Sequence, residues 1–212
     1  MNESMEAGLI DSVLMKLQSF QHERDLGSLC IGLASSDAGS GVTTIAARLS
    51  AQAAMNGMGN VLLVDSNYVR PAVHKRFRVK RGPGLLDHLV AGLEMEACIQ
   101  KTDDDDLHLM TLGSKEFSTQ SVSPIALRPF FDDLRSRYQL VLVDLPTVTQ
   151  AGFGLFFVSQ TDGVVLVLDG KVTKTRQAKE VVELMKDSDV PVVGAILNKH
   201  ATALPNWLAR WF

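Results

Sequence analysis

The chain lacks the marks of a secreted, membrane-spanning or nucleic-acid-binding protein. Only two of its residues are cysteine, Cys30 and Cys98, and they form no metal-spaced cluster. Cys30 falls inside an apolar run, where a reduced, buried thiol is expected. No apolar run approaches the roughly 20 residues that span a bilayer. The N-terminal MNESMEAGLIDS has acidic residues and no basic n-region, so it is no secretory signal. The net charge of −3 gives no reason to expect nucleic acid as a partner. A cytoplasmic location fits all of these absences. What remains is a chain of 212 residues, 46% hydrophobic and 21% charged, enough for one sizeable α/β domain with a real core.

The stretch SSDAGSGVTT at positions 35–44 organises the rest. It follows the apolar run Leu29-Cys30-Ile31-Gly32-Leu33 and precedes a helical segment beginning near Thr43. Strand, glycine-rich turn and helix form the context of a phosphate-binding loop. Glycines let backbone N–H groups turn inward, and a helix N-terminus adds partial positive charge. Gly39, Ser40, Gly41, Val42, Thr43 and Thr44 are the candidate phosphate-binding residues. The usual pattern continues Gly-Lys-Ser/Thr, whereas here Val42 stands where the lysine would reach the β- and γ-phosphates.

Along the chain, residues 5–21 read as a helix with Leu9, Ile10, Val13, Leu14, Leu17 and Phe20 near one face. A strand over about 28–34 leads into the loop, and a helix runs to about Met55, ended by Gly57 and Gly59. Val61-Leu62-Leu63-Val64-Asp65 is a buried-strand run ending in an acid. Pro71 suits the first turn of a short helix, and 84–89 suggests another. Leu107 to Leu112 is a strand candidate, preceded by Asp103 to Asp106. Those four aspartates lack the spaced alternation and glycine of a calcium loop and read as a solvated turn. Residues 115–123 read as loop and Ile125 to Tyr138 as helix. Leu140-Val141-Leu142-Val143-Asp144 is a second strand ending in an acid. A helix near 151–159, a strand at 163–168, a helix at 173–186 and a strand at 191–197 complete the pattern. Strands rich in Val, Leu and Ile that alternate with helices predict an α/β, P-loop NTPase-like three-layer fold: a mostly parallel sheet flanked by helices. The expected organisation is a single domain over 1–212, with 1–26 as an N-terminal helix and 200–212 as an aromatic tail.

Parallel strands present their C-terminal ends on one edge, where ligands bind. The loop, Asp65 and Asp144 are three such ends. In a magnesium–nucleotide site amides hold phosphates, a Ser/Thr hydroxyl ligates the metal, and a strand-end acid holds a metal-bound water or acts as base. This makes Thr43, Asp65 and Asp144 the candidate metal set, with Asp65 and Asp144 as the candidate catalytic acids. A strand-end Asp also serves simply to cap the next helix.

The segment VLLVDSNYVRPAVHKRF at 61–77 resembles the second nucleotide motif of the bacterial tyrosine kinases (BY-kinases, CpsD/CapB-like) of polysaccharide synthesis and export, which has Asp-x-Asp followed by Arg-x-Pro. YQLVLVDLPTV at 138–148, GVVLVLDGKVTKTRQAKEVVELM and VVGAILNKH are similar to the family's later segments. The wider relatives are the MinD/ParA-like P-loop ATPases. The resemblance implies ATP or ADP with Mg2+ as cofactor and assigns Asn198 to reading adenine; an Asn that caps a strand end is the alternative.

Four positions depart from the family pattern. Val42 replaces the lysine, Asn67 the second acid, and Thr147 the second proline, while Phe153 stands where an aspartate is common. The chain also has only two tyrosines, Tyr68 and Tyr138, neither in a C-terminal tail. A loop lysine makes charge-assisted contacts of about 1.5–3 kcal/mol, and losing a preorganised donor costs about 10²–10³ in rate. Asn67 cannot take a proton. The expectation is therefore weak or absent nucleotide binding and phosphoryl transfer, and a regulatory role in exopolysaccharide or capsule synthesis and export. The alternatives are an active kinase that uses a displaced basic group, such as Arg70, Lys75 or Arg76, and a ParA/MinD-like localisation factor for a pilus or flagellum. Expected partners are a membrane adaptor, a polysaccharide synthesis or export component, or a second copy of the chain. Trp207, Trp211 and Phe212 read as a docked helix or as an anchor that recruits the protein to the inner face of the membrane.

Overall fold

The computed structural model describes residues 3–114, 122–148, 152 and 154–199. Residues 115–121 of the expected loop at 115–123, Phe153 and the aromatic tail lie outside the described residues. The chain opens with helix α1 (Glu3–Glu23), strand β1 (Leu29–Ala34), helix α2 (Val42–Met55) and strand β2 (Val61–Asp65). Two short helices, α3 (Val73–Phe77) and α4 (Leu85–Ala91), lead to α5 (Met95–Cys98), β3 (Gln100–Lys101) and β4 (Leu107–Met110). Then follow α6 (Pro124–Arg137), β5 (Leu140–Asp144), α7 (Gly154–Val158), β6 (Gly163–Asp169), α8 (Thr175–Asp187) and β7 (Val192–Asn198).

The strands form one sheet in the order β3-β4-β2-β5-β1-β6-β7. All neighbours are parallel except the antiparallel pair β3–β4. Successive side chains of a strand point to opposite faces, and here both faces are apolar. Cys30, Leu62, Val64, Val141 and Val143 join Leu127, Phe131 and Phe157 on one face. Leu29, Ile31, Leu63 and Leu142 join Leu14, Leu17, Ile45 and Leu49 on the other. A sheet buried on both sides explains why its strands read as continuous runs rather than alternating ones. The result is the expected three-layer α/β fold.

Several local expectations shift. Of the predicted face of α1, Ile10, Leu14 and Leu17 are buried as expected, while Leu9 is exposed. Pro71 does not enter a helix: α3 starts at Val73, because the Asp65 carboxylate collects the amides of Ala72 (3.0 Å) and Val73 (3.1 Å) and so sets where the helix begins. Strand β4 stops at Met110, since the carbonyls of Thr111 and Leu112 accept the first amides of α4, at 2.8 and 2.9 Å. The pieces α5 and β3 are too short to leave a periodic signal. The four aspartates form a turn in which Asp104 accepts the amides of Asp106 (3.0 Å) and Leu107 (3.1 Å). Cys30 is fully buried and its thiol is pushed up to about 12, chiefly by burial, so it stays protonated.

Candidate functional site

The loop leaves the C-terminal end of β1, which lies between β5 and β6 at the middle of the sheet. Gly39 (φ +81°) and Gly41 (φ +95°) take the left-handed conformation that residues with a Cβ avoid. Gly41 is also the N-cap of α2, and its carbonyl receives the Ile45 amide at 3.0 Å. A Cβ on Gly41 would lie 2.3 Å from the Asn198 carboxamide nitrogen. The loop and helix border a cleft of about 300 Å³, lined among others by Gly39, Gly41, Thr43, Asn67 and Arg70. Ser40, Val42 and Thr44 line it too. Val42 is nearly buried and packs in the same apolar cluster as Ile45, so it contributes volume and no charge.

The two strand-end acids lie beneath this cleft on neighbouring strands. Asp65 and Asp144 are Cα partners in the β2–β5 register, and Asp144 also pairs with Leu33 of β1. Both carboxyls are fully buried. Their arrangements differ. Asp65 accepts the amides of Asn67, Ala72 and Val73 at 3.0–3.1 Å, so both its oxygens serve the turn into α3. Asp144 accepts the Thr43 hydroxyl on Oδ2 at 2.6 Å, while its buried Oδ1 has no hydrogen-bond partner. Burial raises the Asp65 carboxyl to about 6, against the opposing pull of its three amides. The Asp144 carboxyl is raised well above the ordinary range by burial, and next by the charge of Asp65.

An unpaired buried carboxylate oxygen beside a hydroxyl at a helix N-terminus fits a hard cation. Thr43 and Asp144 therefore fit magnesium, whereas the oxygens of Asp65 are taken up by backbone amides. Asn198 does not line the cleft. Its Nδ2 donates to the Ser40 carbonyl at 2.8 Å and its Oδ1 accepts the Lys199 amide at 2.9 Å, so it holds the loop from the β7 side.

Sequence reasoning passed over the loop's other supports. Asp37 accepts Ser36 Oγ at 2.7 Å, Thr173 Oγ1 at 2.9 Å and Gln177 Nε2 at 3.1 Å. Lys199 Nζ bridges the Gly39 carbonyl (2.6 Å) and Asp169 Oδ2 (2.8 Å), and this pairing holds the Asp169 carboxyl below its ordinary range. An aspartate inside a glycine loop is a turn-forming signal that could have marked Asp37. Nothing in the order of residues announces partners more than a hundred positions away.

No family model matches the chain. Tyrosine-protein kinase YwqD of Bacillus subtilis is 27% identical over 161 residues, covering 76% of this chain and 68% of YwqD. The putative tyrosine-protein kinase EpsB of Ralstonia solanacearum is 27% identical over 179 residues, which is 82% of this chain. The chain is thus similar to bacterial tyrosine kinases over most of its length. The chain spans only 23% of the length of EpsB. The succinoglycan biosynthesis transport protein ExoP of Rhizobium meliloti is 23% identical over 176 residues, 81% of this chain and 22% of ExoP. In structure the domain is similar to the VpsO kinase domain, with a TM-score of 0.79, 24% identity and coverage of 93% of this chain and 96% of that one. It is also similar to the septum site-determining protein MinD complexed with Mg-ADP from Pyrococcus horikoshii, with a TM-score of 0.71, 21% identity and coverage of 86% and 76%. Among the described residues no helix is long and apolar enough to cross a membrane.

Proposed function

We propose that the chain is a tyrosine-kinase-like P-loop domain, one unit over 1–212, that regulates exopolysaccharide or capsule synthesis and export, with weak or absent phosphoryl transfer. The observation that carries this reading is Val42, an apolar side chain packed under the loop at the position of the phosphate lysine. The name of ExoP supports the pathway, and those of YwqD and EpsB support the likeness to a tyrosine kinase. In this reading the amides of 39–44 would hold the phosphates of ATP or ADP, and Thr43 and Asp144 would hold magnesium, which would supply positive charge beside them. Asp65 shapes the turn that leads into α3 beside the cleft. Asn67, whose Oδ1 accepts the Arg70 amide at 3.0 Å, supplies no base. The output is contact with a membrane adaptor, an export component or a second copy, with recruitment to the inner face of the membrane aided by Trp207, Trp211 and Phe212.

Titration calorimetry of ATP, with and without magnesium, alongside a tyrosine-phosphorylation assay on a candidate partner, tests this. Weak magnesium-dependent binding or none, and no phosphotyrosine, is the expected result. Turnover at the rate of an intact kinase would overturn it. A second reading, an active kinase with a displaced cation, is favoured by one observation: Arg70 lines the loop cleft. Substitution of Arg70 by Gln in the same assay separates the two readings.

A further inference from the structure

Between Asp65 and Asp87 the chain carries six cations, Arg70, Lys75, Arg76, Arg78, Lys80 and Arg81, and no acid, although its net charge is −3. Among the described residues none of the six forms an ion pair with a carboxylate. Arg76 donates to the Thr44 hydroxyl. The backbone turns three of the others toward one another. Helix α3 ends at Arg78 in the left-handed conformation (φ +56°), and the Val79 amide returns to the His74 carbonyl at 3.0 Å. The chain then doubles back, and the Arg81 carbonyl is held by the Thr111 hydroxyl. Arg70, His74, Lys75 and Arg81 thereby line one open cleft of about 410 Å³. Arg70 and Ala72 also line the loop cleft, so the two adjoin.

This second cleft carries an excess of positive charge: of its cations, Arg81 acts on the buried Asp65 carboxyl at a distance, without an ion pair. The His74 imidazole lies in it with Nδ1 buried and unpartnered. Its basicity is lowered by burial, then by Lys75 on its own helix and Arg81 from the segment that follows. Like charges gathered in a concave site with no ion-paired carboxylate favour an anion. Guanidinium forks match the oxygens of a phosphoryl group, and a lysine adds a point charge.

We propose that this cleft is a phosphate site separate from the glycine loop, taking a phosphate monoester or pyrophosphate through Arg70, Lys75 and Arg81. The phosphoryl group arrives either on a second ligand or as the terminal phosphate of a nucleotide seated on the loop. The proposal does not rest on nucleotide binding at the loop.

The test titrates inorganic phosphate and pyrophosphate into the full chain at constant ionic strength set by chloride, read by phosphorus NMR and by the His74 ring-proton resonance. Saturable binding is expected, with the His74 pKa raised by about one unit as the anion offsets Lys75 and Arg81. The double variant Lys75→Gln/Arg81→Gln should weaken binding about tenfold or more. The charge-conserving variant Lys75→Arg/Arg81→Lys should retain it, and Lys179→Gln, on the exposed surface of α8, should leave it unchanged. Pyrophosphate binding that persists with excess ADP assigns the site to a second ligand; displacement by ADP that keeps the Lys75 and Arg81 dependence assigns it to the nucleotide's own phosphate. Non-saturating binding, equal affinity in the charge-removed variant, or an equal loss on Lys179→Gln would overturn the proposal.

Discussion

Val42 and Asp144 make opposite use of burial beneath the loop. Val42 gains packing and forgoes charge. Val42→Lys sacrifices about 1 kcal/mol of that packing but brings an ammonium to a cleft bordered by inward-turned amides. Nucleotide affinity should rise about tenfold in calorimetry. An unchanged affinity, with the loop shown intact by its amide resonances, would mean that the valine does not limit binding. Asp144 instead keeps a carboxyl in a place where a charge is costly. With Asp65 raised from 3.8 to about 6, the folded state binds more protons than the unfolded chain between those values. Stability from this pair is therefore present at low pH and falls as pH rises through about 6. Asp144→Asn removes one of the two opposed charges. It should flatten that slope and raise stability near pH 7 more than near pH 4, read by urea unfolding at about pH 4 and about pH 7. A loss of stability equal at both pH values would show that the Thr43–Asp144 bond outweighs the repulsion.

The loop is an element whose shape is imposed from outside. Its backbone is turned by two glycines, but Asp37, Asn198 and Lys199 tie it to α8 and β7. Gly41 carries two constraints at once, a positive φ and the 2.3 Å approach of Asn198 to any Cβ. Gly41→Ala should cost about 2–3 kcal/mol in thermal or chemical melting. Adding Asn198→Ala removes the collision and should recover part of the loss, leaving about 1 kcal/mol from the backbone conformation. No recovery in the double variant would mean that Asn198 yields freely and that φ alone sets the cost. The glycines, and the strand-end places of Asp65 and Asp144, were legible because they are local: a turn needs glycine, and an apolar run ends at its first acid. Asp37 and Lys199 were not, because each acts on a part of the chain that only the packed sheet brings near.

At the scale of the whole molecule, both faces of the sheet are sealed, and α1 takes part in the sealing. Leu17 is fully buried in the same cluster as Leu14, Ile31 and Leu49. Leu17→Ala should therefore cost about 2–4 kcal/mol in urea unfolding; a change under about 0.5 kcal/mol would mark 1–26 as dispensable to the domain. The hydrophobic runs by themselves determined the class of fold, since strands buried on both faces must be apolar throughout and need helices to cover them. The order of residues also determined the chemistry available at the loop, because no folding restores a lysine at Val42 or an acid at Asn67. Only the tertiary structure decided how those groups are used. It committed Asp65 to three amides and left Asp144 with a free oxygen, a difference of neighbours between two acids of the same sequence context. It placed Asn198 against the loop rather than in the cleft. It folded Arg70, Lys75 and Arg81 around one hollow, because the direction of a side chain at a chain reversal depends on what the backbone packs against, and that is set by contacts distant in sequence.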